Sequence, residues 1–283
     1  MATLPPEPST PGPAAPGTPS HLHRQVAEGF GADAGRYDRA RPGYPADLIE
    51  RIVAASPGHD FLDVGCGTGI SSRLLAAAGC RVLGLDPDPR MAEQARLGGT
   101  ETEVAKFEAW DQAGRSFDAV TAAQAWHWVD PAAGAAKAAA ALRPGGRLAV
   151  FWNSFDPPRE LGQAFAEAFR RVMPGGGSGA GTARSIWTRP ALDTYRIMGG
   201  KAAGGMRASG AFAEPEEWLS RWSRPYTRDE WLDFMPTAGG FGRIPENLQQ
   251  EILAGLGAAI DAVGGSFAMG YDTLAVTAVR LAP

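Results

Sequence analysis

Phe61-Leu62-Asp63-Val64-Gly65-Cys66-Gly67-Thr68-Gly69 is the stretch that decides how this chain reads. A short apolar run breaks into glycines at alternate positions, which lets the backbone turn tightly and bring peptide N–H groups close to a ligand. A second apolar run, Arg81-Val82-Leu83-Gly84-Leu85, ends on Asp86. One run followed by a glycine turn and another closed by a carboxylate is the pattern of a nucleoside-binding βαβ unit. The acid at the end of the second strand is placed to accept hydrogen bonds from both ribose hydroxyls.

Outward from this pair, strands and helices alternate. The pattern predicts strands at 61–64, 81–85, 103–107, 117–122 and 147–152, with helices at 46–55, 70–78, 90–96 and 132–142 between them. Such alternation implies a doubly wound, mostly parallel sheet with helices on both faces. Arg143-Pro144-Gly145-Gly146 reads as the turn into the fifth strand. Beyond Trp152 the pattern changes: an amphipathic helix at 159–173, a glycine-rich stretch at 174–181, and no clear period from 182 to about 215. A strand at 217–224, helices at 229–234 and 245–263, and a strand at 267–281 close the chain. Before the core, 23–30 reads as one or two helical turns, 31–41 as a polar loop, and Arg41-Pro42-Gly43-Tyr44-Pro45 as a rigid turn.

The chain has 283 residues, 44% hydrophobic, with a net charge of −4 and an isoelectric point near 5.6. No basic excess advertises nucleic-acid or anionic-membrane binding, and no run of about 18 apolar residues suggests a membrane span. The two cysteines, Cys66 and Cys80, have neither metal-ligand spacing nor the numbers of a disulfide scaffold, so a cytoplasmic setting is expected. Residues 1–20 hold seven prolines and one charged side chain, Glu7, and read as a disordered tail. The expected organisation is a tail at 1–20, a cover segment at 21–45, a core at 46–155, an inserted substrate cover at 156–224, and 225–283 completing the core.

Two details separate the glycine turn from a dinucleotide fingerprint. In Gly65-x-Gly67-x-Gly69 the third glycine falls one residue early, and a pyrophosphate wants a helix N-terminus with free N–H groups. A zwitterionic ligand would instead be met by Asp63, directly or through water. Here the chain resembles the class I S-adenosylmethionine-dependent methyltransferases, whose first motif reads like Leu62 to Gly69. The resemblance runs over about 30–281: Asp86-Pro87-Asp88-Pro89-Arg90-Met91 resembles the second motif, Phe117-Asp118-Ala119-Val120 the fourth strand, and Leu142-Arg143-Pro144-Gly145-Gly146 the turn before the fifth. Tyr37 with Arg41 to Pro45, Ala123-Gln124-Ala125-Trp126-His127-Trp128, and Tyr271-Asp272-Thr273 are similar to the trans-aconitate methyltransferase-like subgroup.

The resemblance implies a seven-stranded Rossmann-like sheet, S-adenosylmethionine as cofactor, and methyl transfer to a small molecule. It implies cofactor contacts at Asp63, Gly65, Gly67, Gly69, Asp86, Met91 and Gln124, with Phe107 and Glu108 standing where relatives meet adenine. Tyr37, Arg41, Tyr44, Trp126 and Trp128 fall on the substrate and cover side, as do the aromatics Trp187, Tyr195, Trp218 and Trp222. The two tryptophans of the fourth-strand motif could equally be core. His127 is the catalytic candidate, since a ring with an ordinary pKa of about 6.5 can accept a proton near neutrality; it could instead orient an acidic substrate or satisfy a helix end. No third ligand joins His127 and Asp130, so no metal site is expected. An NAD(P)-dependent oxidoreductase and a non-catalytic cofactor-binding module remain as alternatives, and a homodimer is left open.

Overall fold

The computed structural model of the protein describes residues 30–174 and 191–282. In chain order the elements are α1 (Ala34–Ala40), α2 (Ala46–Ala54), β1 (Asp60–Val64), α3 (Ile70–Ala77), β2 (Arg81–Asp86), α4 (Pro89–Leu97), β3 (Glu101–Val104) and β4 (Phe117–Ala123). There follow α5 (Pro131–Ala141), β5 (Leu142–Asp156), α6 (Arg159–Val172), α7 (Ala191–Ser209), β6 (Glu216–Thr227), α8 (Arg228–Phe234), α9 (Glu246–Asp261) and β7 (Ser266–Val279). The seven strands form one sheet in the order β3-β2-β1-β4-β5-β7-β6. β1 to β5 pair in parallel, while β7 runs antiparallel between β5 and β6.

Both faces of the inner strands are covered, so β1, β4 and most of β5 are buried on both sides, while the edge strand β6 alternates exposed and buried residues. On β5 Leu148, Val150 and Trp152 join one core with α5 and α7, while Ala149 and Phe151 join another with Leu48, Ile49 and Ile52 of α2. That split is the two-residue period of a strand. A third, aromatic core gathers Phe165, Tyr226, Trp231, Phe234, Phe267 and Tyr271 where α6, α8 and α9 meet β6 and β7. Helix starts follow their capping chemistry: Asp88 and Asp130 each accept from the first turn, with proline at the first helical position after them.

Several expectations are corrected. Residues 31–41 form a 3₁₀ turn and α1 rather than a loop, because Asp33 accepts from the Arg36 N–H and caps the helix. The third strand ends at Val104, and Phe107–Ala109 is a 3₁₀ turn; the expected strand stood too far along the chain. Arg143 to Gly146 stays within β5 as a bulge, where the register jumps between Phe117 and Ala119 and Gly145 has φ 78°. The region without a clear period contains the 19-residue α7. The tail, all but Phe30 of the turns expected at 23–30, most of the glycine-rich stretch and Trp187 lie outside the described residues. Among the described residues no helix is long and apolar enough to cross a membrane.

Candidate active site

The strand order reverses between β1 and β4, so the loops leaving their carboxyl ends diverge and frame a crevice, the usual ligand position in an open α/β sheet. The loop after β1 is Gly65 to Gly69; the loop after β4 is Gln124 to Trp128. They approach so closely that a Cβ on Gly65 would stand 2.4 Å from the Ala125 Cβ, and Gly65 itself sits at φ 65°. Only glycine meets both demands. Gly69, at φ 86°, caps α3. Gln124 adopts φ 55° without being glycine, a conformation that costs about 1–2 kcal/mol and is held by its surroundings. Its backbone N–H donates to the Phe151 carbonyl (2.8 Å) and its side chain to the Asn153 carbonyl (3.1 Å).

One cavity of about 370 Å³ runs from this crevice. At one end Gly65, Cys66, Gly67 and Thr68 face Asp86, Met91, Phe107 and Glu108. The Asp86 carboxylate accepts from the Gly67 N–H on Oδ2 and the Asp88 N–H on Oδ1, both at 2.9 Å. Burial pushes its pKa up to about 6, against the pull of those two N–H groups. Burial also pushes the Cys66 thiol well up, with Asp63 and Asp86 adding to the shift. Glu108 accepts from the Asp130 N–H at 3.3 Å. The Thr68 hydroxyl is buried with no hydrogen-bond partner among the described residues, although it lines the cavity. A buried polar atom left unmatched in this way is suited to a ligand.

The other end is walled by Tyr37, Arg41 and Tyr44 from the N-terminal segment, by His127 and Trp128, by Phe155, and by Tyr195 and Met198 of α7. The Arg41 guanidinium lies 4.8 Å from the Tyr37 ring centroid and 5.4 Å from that of Phe234. Among the described residues it makes no ion pair with a carboxylate. Burial lowers the Arg41 pKa, but Tyr37, Tyr44 and Tyr195 raise it more, and the net shift is upward. Tyr195 hydrogen-bonds the Gln124 side chain and its own pKa is raised by burial.

Most of the predicted site residues thus come together, with three exceptions. Asp63 is fully buried behind the cavity: its Oδ2 accepts from Ser71 (2.6 Å) and Ser72 (2.7 Å), its Oδ1 from Thr121 (3.0 Å). These contacts brace the glycine turn against α3 and β4, and burial raises the Asp63 pKa against those three hydroxyls. Gly69 shapes the turn but does not line the cavity, and Trp126 is core, packed with Phe107 at 6.0 Å. Of the cover aromatics among the described residues, Trp218 lies in the core under Arg51, Trp222 stacks on Tyr271, and Tyr195 reaches the cavity. Cys66, Thr68, Phe155 and Met198 were missed, and only the first two, inside the glycine motif, had a sequence signal.

The profile of the methyltransferase domain family matches residues 62–150. An uncharacterised methyltransferase of Mycobacterium tuberculosis is 40% identical over 146 residues, 50% of this chain and 60% of that protein. A ubiquinone biosynthesis O-methyltransferase of Xanthomonas campestris is 33% identical over 177 residues, 56% of this chain and 74% of that protein. A solved structure from Anaeromyxobacter dehalogenans, provisionally named a type II methyltransferase, shares the fold: TM-score 0.58 at 23% identity, covering 86% of this chain and 99% of that one. The chain belongs to the class I S-adenosylmethionine-dependent methyltransferases, and the dinucleotide reading is set aside. The match to the mycobacterial relative spans only 60% of its length.

The cavity fits that family's cofactor. The Gly65 cradle has no room for a side chain, Thr68 has an unmatched hydroxyl, and Asp86 offers a carboxylate at the strand end.

Proposed function

We propose that this chain transfers a methyl group to a small organic molecule. The observation that supports it most is the continuity of the cavity, from the glycine cradle and Asp86 at one end to Arg41, His127 and Tyr195 at the other. When bound, S-adenosylmethionine supplies an activated methyl. Asp86 would accept from the nucleoside hydroxyls, Met91 and Phe107 would flank the base, Glu108 would meet its amine, and Gly65, Gly67 and Gln124 would border the remainder. Alignment in one enclosed space contributes up to about 7–11 kcal/mol in well-oriented reactions, so no acid or base is obligatory.

In the same reading, residues 30–45 and α7 cover the acceptor side, and the protein works in the cytoplasm. We also read it as akin to the trans-aconitate methyltransferase-like enzymes, because Tyr37, Arg41 and Tyr44 share the cavity with Gln124, His127 and Trp128. The test is incubation with methyl-labelled S-adenosylmethionine and a metabolite extract. A labelled small molecule is expected. Label on nucleic acid would overturn the acceptor class, and cofactor binding with no labelled product from any acceptor would favour a non-catalytic module.

A further inference from the structure

His127 sits on the 3₁₀ turn Trp126–Trp128 and lines the acceptor end of the cavity. Two indoles touch its ring and do different things. Trp128 packs against it with centroids 4.6 Å apart. Trp152, fully buried on β5, donates its Nε1–H to His127 Nδ1 at 3.2 Å. An indole nitrogen only donates, so Nδ1 must present a lone pair there, and in a neutral imidazole the proton then resides on Nε2. An imidazolium would set two N–H groups against each other.

The surroundings point the same way. The charged or titratable groups lining this cavity are Tyr37, Arg41, Tyr44, Cys66, Asp86, Asp88, Lys106, Glu108 and Tyr195. None of them moves the His127 pKa, which burial alone pushes down to about 4. At this end of the cavity Arg41 is a cation, which would disfavour an imidazolium. An imidazole in that setting offers a hydrogen and no site for a proton.

We propose that Trp152 is a positioning residue that locks His127 as a neutral Nε2–H donor, so that the enzyme takes acceptors whose nucleophilic atom arrives already ionised. This inference rests on the methyl-transfer reading. An ionised acceptor uses its own lone pair to form the bond to the methyl carbon while the carbon–sulfur bond breaks, its electron pair passing to sulfur. The negative charge of the acceptor and the positive charge of the sulfonium cancel, and no proton remains for the protein to remove. Arg41 and the His127 Nε2–H then attract and orient the anion.

The ring state is read without any acceptor, by ¹⁵N–¹H long-range correlation on the intact histidine-labelled chain loaded with S-adenosylhomocysteine. His127→Gln identifies the His127 signals by their loss. Nε2 protonated, Nδ1 bare, and no titration between pH 8 and 5 are the expected results. Trp152→Phe, which removes the donor but keeps the apolar surroundings, should yield a mixture of tautomers, whereas Trp128→Phe should leave the tautomer unchanged. An Nδ1–H tautomer or a midpoint near 6.5 in the unaltered protein would overturn the proposal, even if Trp152→Phe fails to fold. So would an unchanged tautomer in a folded Trp152→Phe.

With an acceptor in hand, His127→Gln, which keeps a donor but cannot take a proton, should retain kcat/KM within about tenfold, the scale of one hydrogen bond. If His127 were a base, Gln and Ala would lose about 10²–10⁴-fold alike, and the proposal would fail. Absence of turnover with every acceptor, beside the expected tautomer, would fail the methyl-transfer reading and not the ring assignment.

Discussion

Asp63 and Asp86 both stand at the carboxyl ends of neighbouring strands, yet their surroundings give them opposite duties. Asp86 keeps its carboxylate at the cavity wall, and the acid ending an apolar run was legible in the sequence. Asp63 was read as a ligand contact because only its neighbours in sequence were visible; Ser71, Ser72 and Thr121 reach it through a helix turn and an adjacent strand. Asp63→Asn should therefore cost about 1–3 kcal/mol of stability by unpairing buried hydroxyls, while calorimetry on the folded fraction finds S-adenosylhomocysteine affinity nearly unchanged. A selective loss of affinity would instead restore Asp63 to the ligand. Asp86→Ala should weaken that affinity by about 1.5–3 kcal/mol. The pH dependence follows from its folded pKa of about 6, above the about 3.9 of an unfolded aspartate. The native state holds the additional proton, so this group's stabilisation is full below about 3.9 and is lost as pH rises through about 6. Ligand hydroxyls favour the ionised form, so affinity should climb over the same interval with release of a proton. Titration at pH 5.5 in two buffers of different ionisation enthalpy measures that release; a flat affinity and no proton would count against Asp86 as the contact. Gln124 in its left-handed conformation could not be foreseen, because neighbouring strands impose it.

At the scale of elements, the strands flanking the glycine turn were legible because apolar runs between turn residues are a strong local signal. One miss was an element whose reason for forming lies elsewhere in the molecule. α7 is poor in helix signals because Gly199, Gly200, Gly204 and Gly205 interrupt it. Two of these glycines serve contact. A Cβ on Gly205 would lie 2.1 Å from the Pro131 carbonyl oxygen and one on Gly199 3.0 Å from Val276, so α7 lies close against α5 and the sheet. That approach brings Tyr195 and Met198 into the cavity. Gly204 has open space beside it and is the internal control. Gly204→Ala should stabilise the protein by about 0.5–1 kcal/mol through helix propensity. Gly205→Ala should destabilise it by about 1–3 kcal/mol through overpacking. Thermal melts of the two variants decide it: equal shifts would mean that α7 does not depend on close approach. α1 begins on a local cap, Asp33, that the polar run 31–41 concealed, and Asp233 on α8 adds contacts to it from a distant part of the chain.

Over the whole molecule, the cavity is closed by pieces distant in sequence: the N-terminal segment, α7, and Ala238 and Gly239 beyond α8. The tie between the first and last of these is ionic. Arg36 donates to Asp233 Oδ1 (2.8 Å) and to its carbonyl (3.1 Å), and Arg39 to Oδ2 (3.2 Å). The three side chains are partly exposed, so the pairs contribute at most about 1 kcal/mol each and weaken in salt. Asp233→Ala should speed amide exchange in α1 several-fold, and bound S-adenosylhomocysteine should restore part of the protection; unchanged exchange would show that α1 is held by apolar contacts alone. That the N-terminal segment and the insertion cover the cavity was expected from the resemblance; the ionic tie to α8 and the place of Ala238 and Gly239 were not legible, because they join residues that no local pattern relates. The position of β7 has a consequence for the nascent chain. β6 pairs only with β7, and β5 gains its second neighbour only from β7. At about 5–20 residues per second, β6 leaves the ribosome seconds before the strand that attaches it. During that interval the parallel half, which holds the glycine cradle, can form with β5 as a raw edge in addition to β3, while β6 waits as a free ribbon. A chaperone that shields single strands would find its client in that interval.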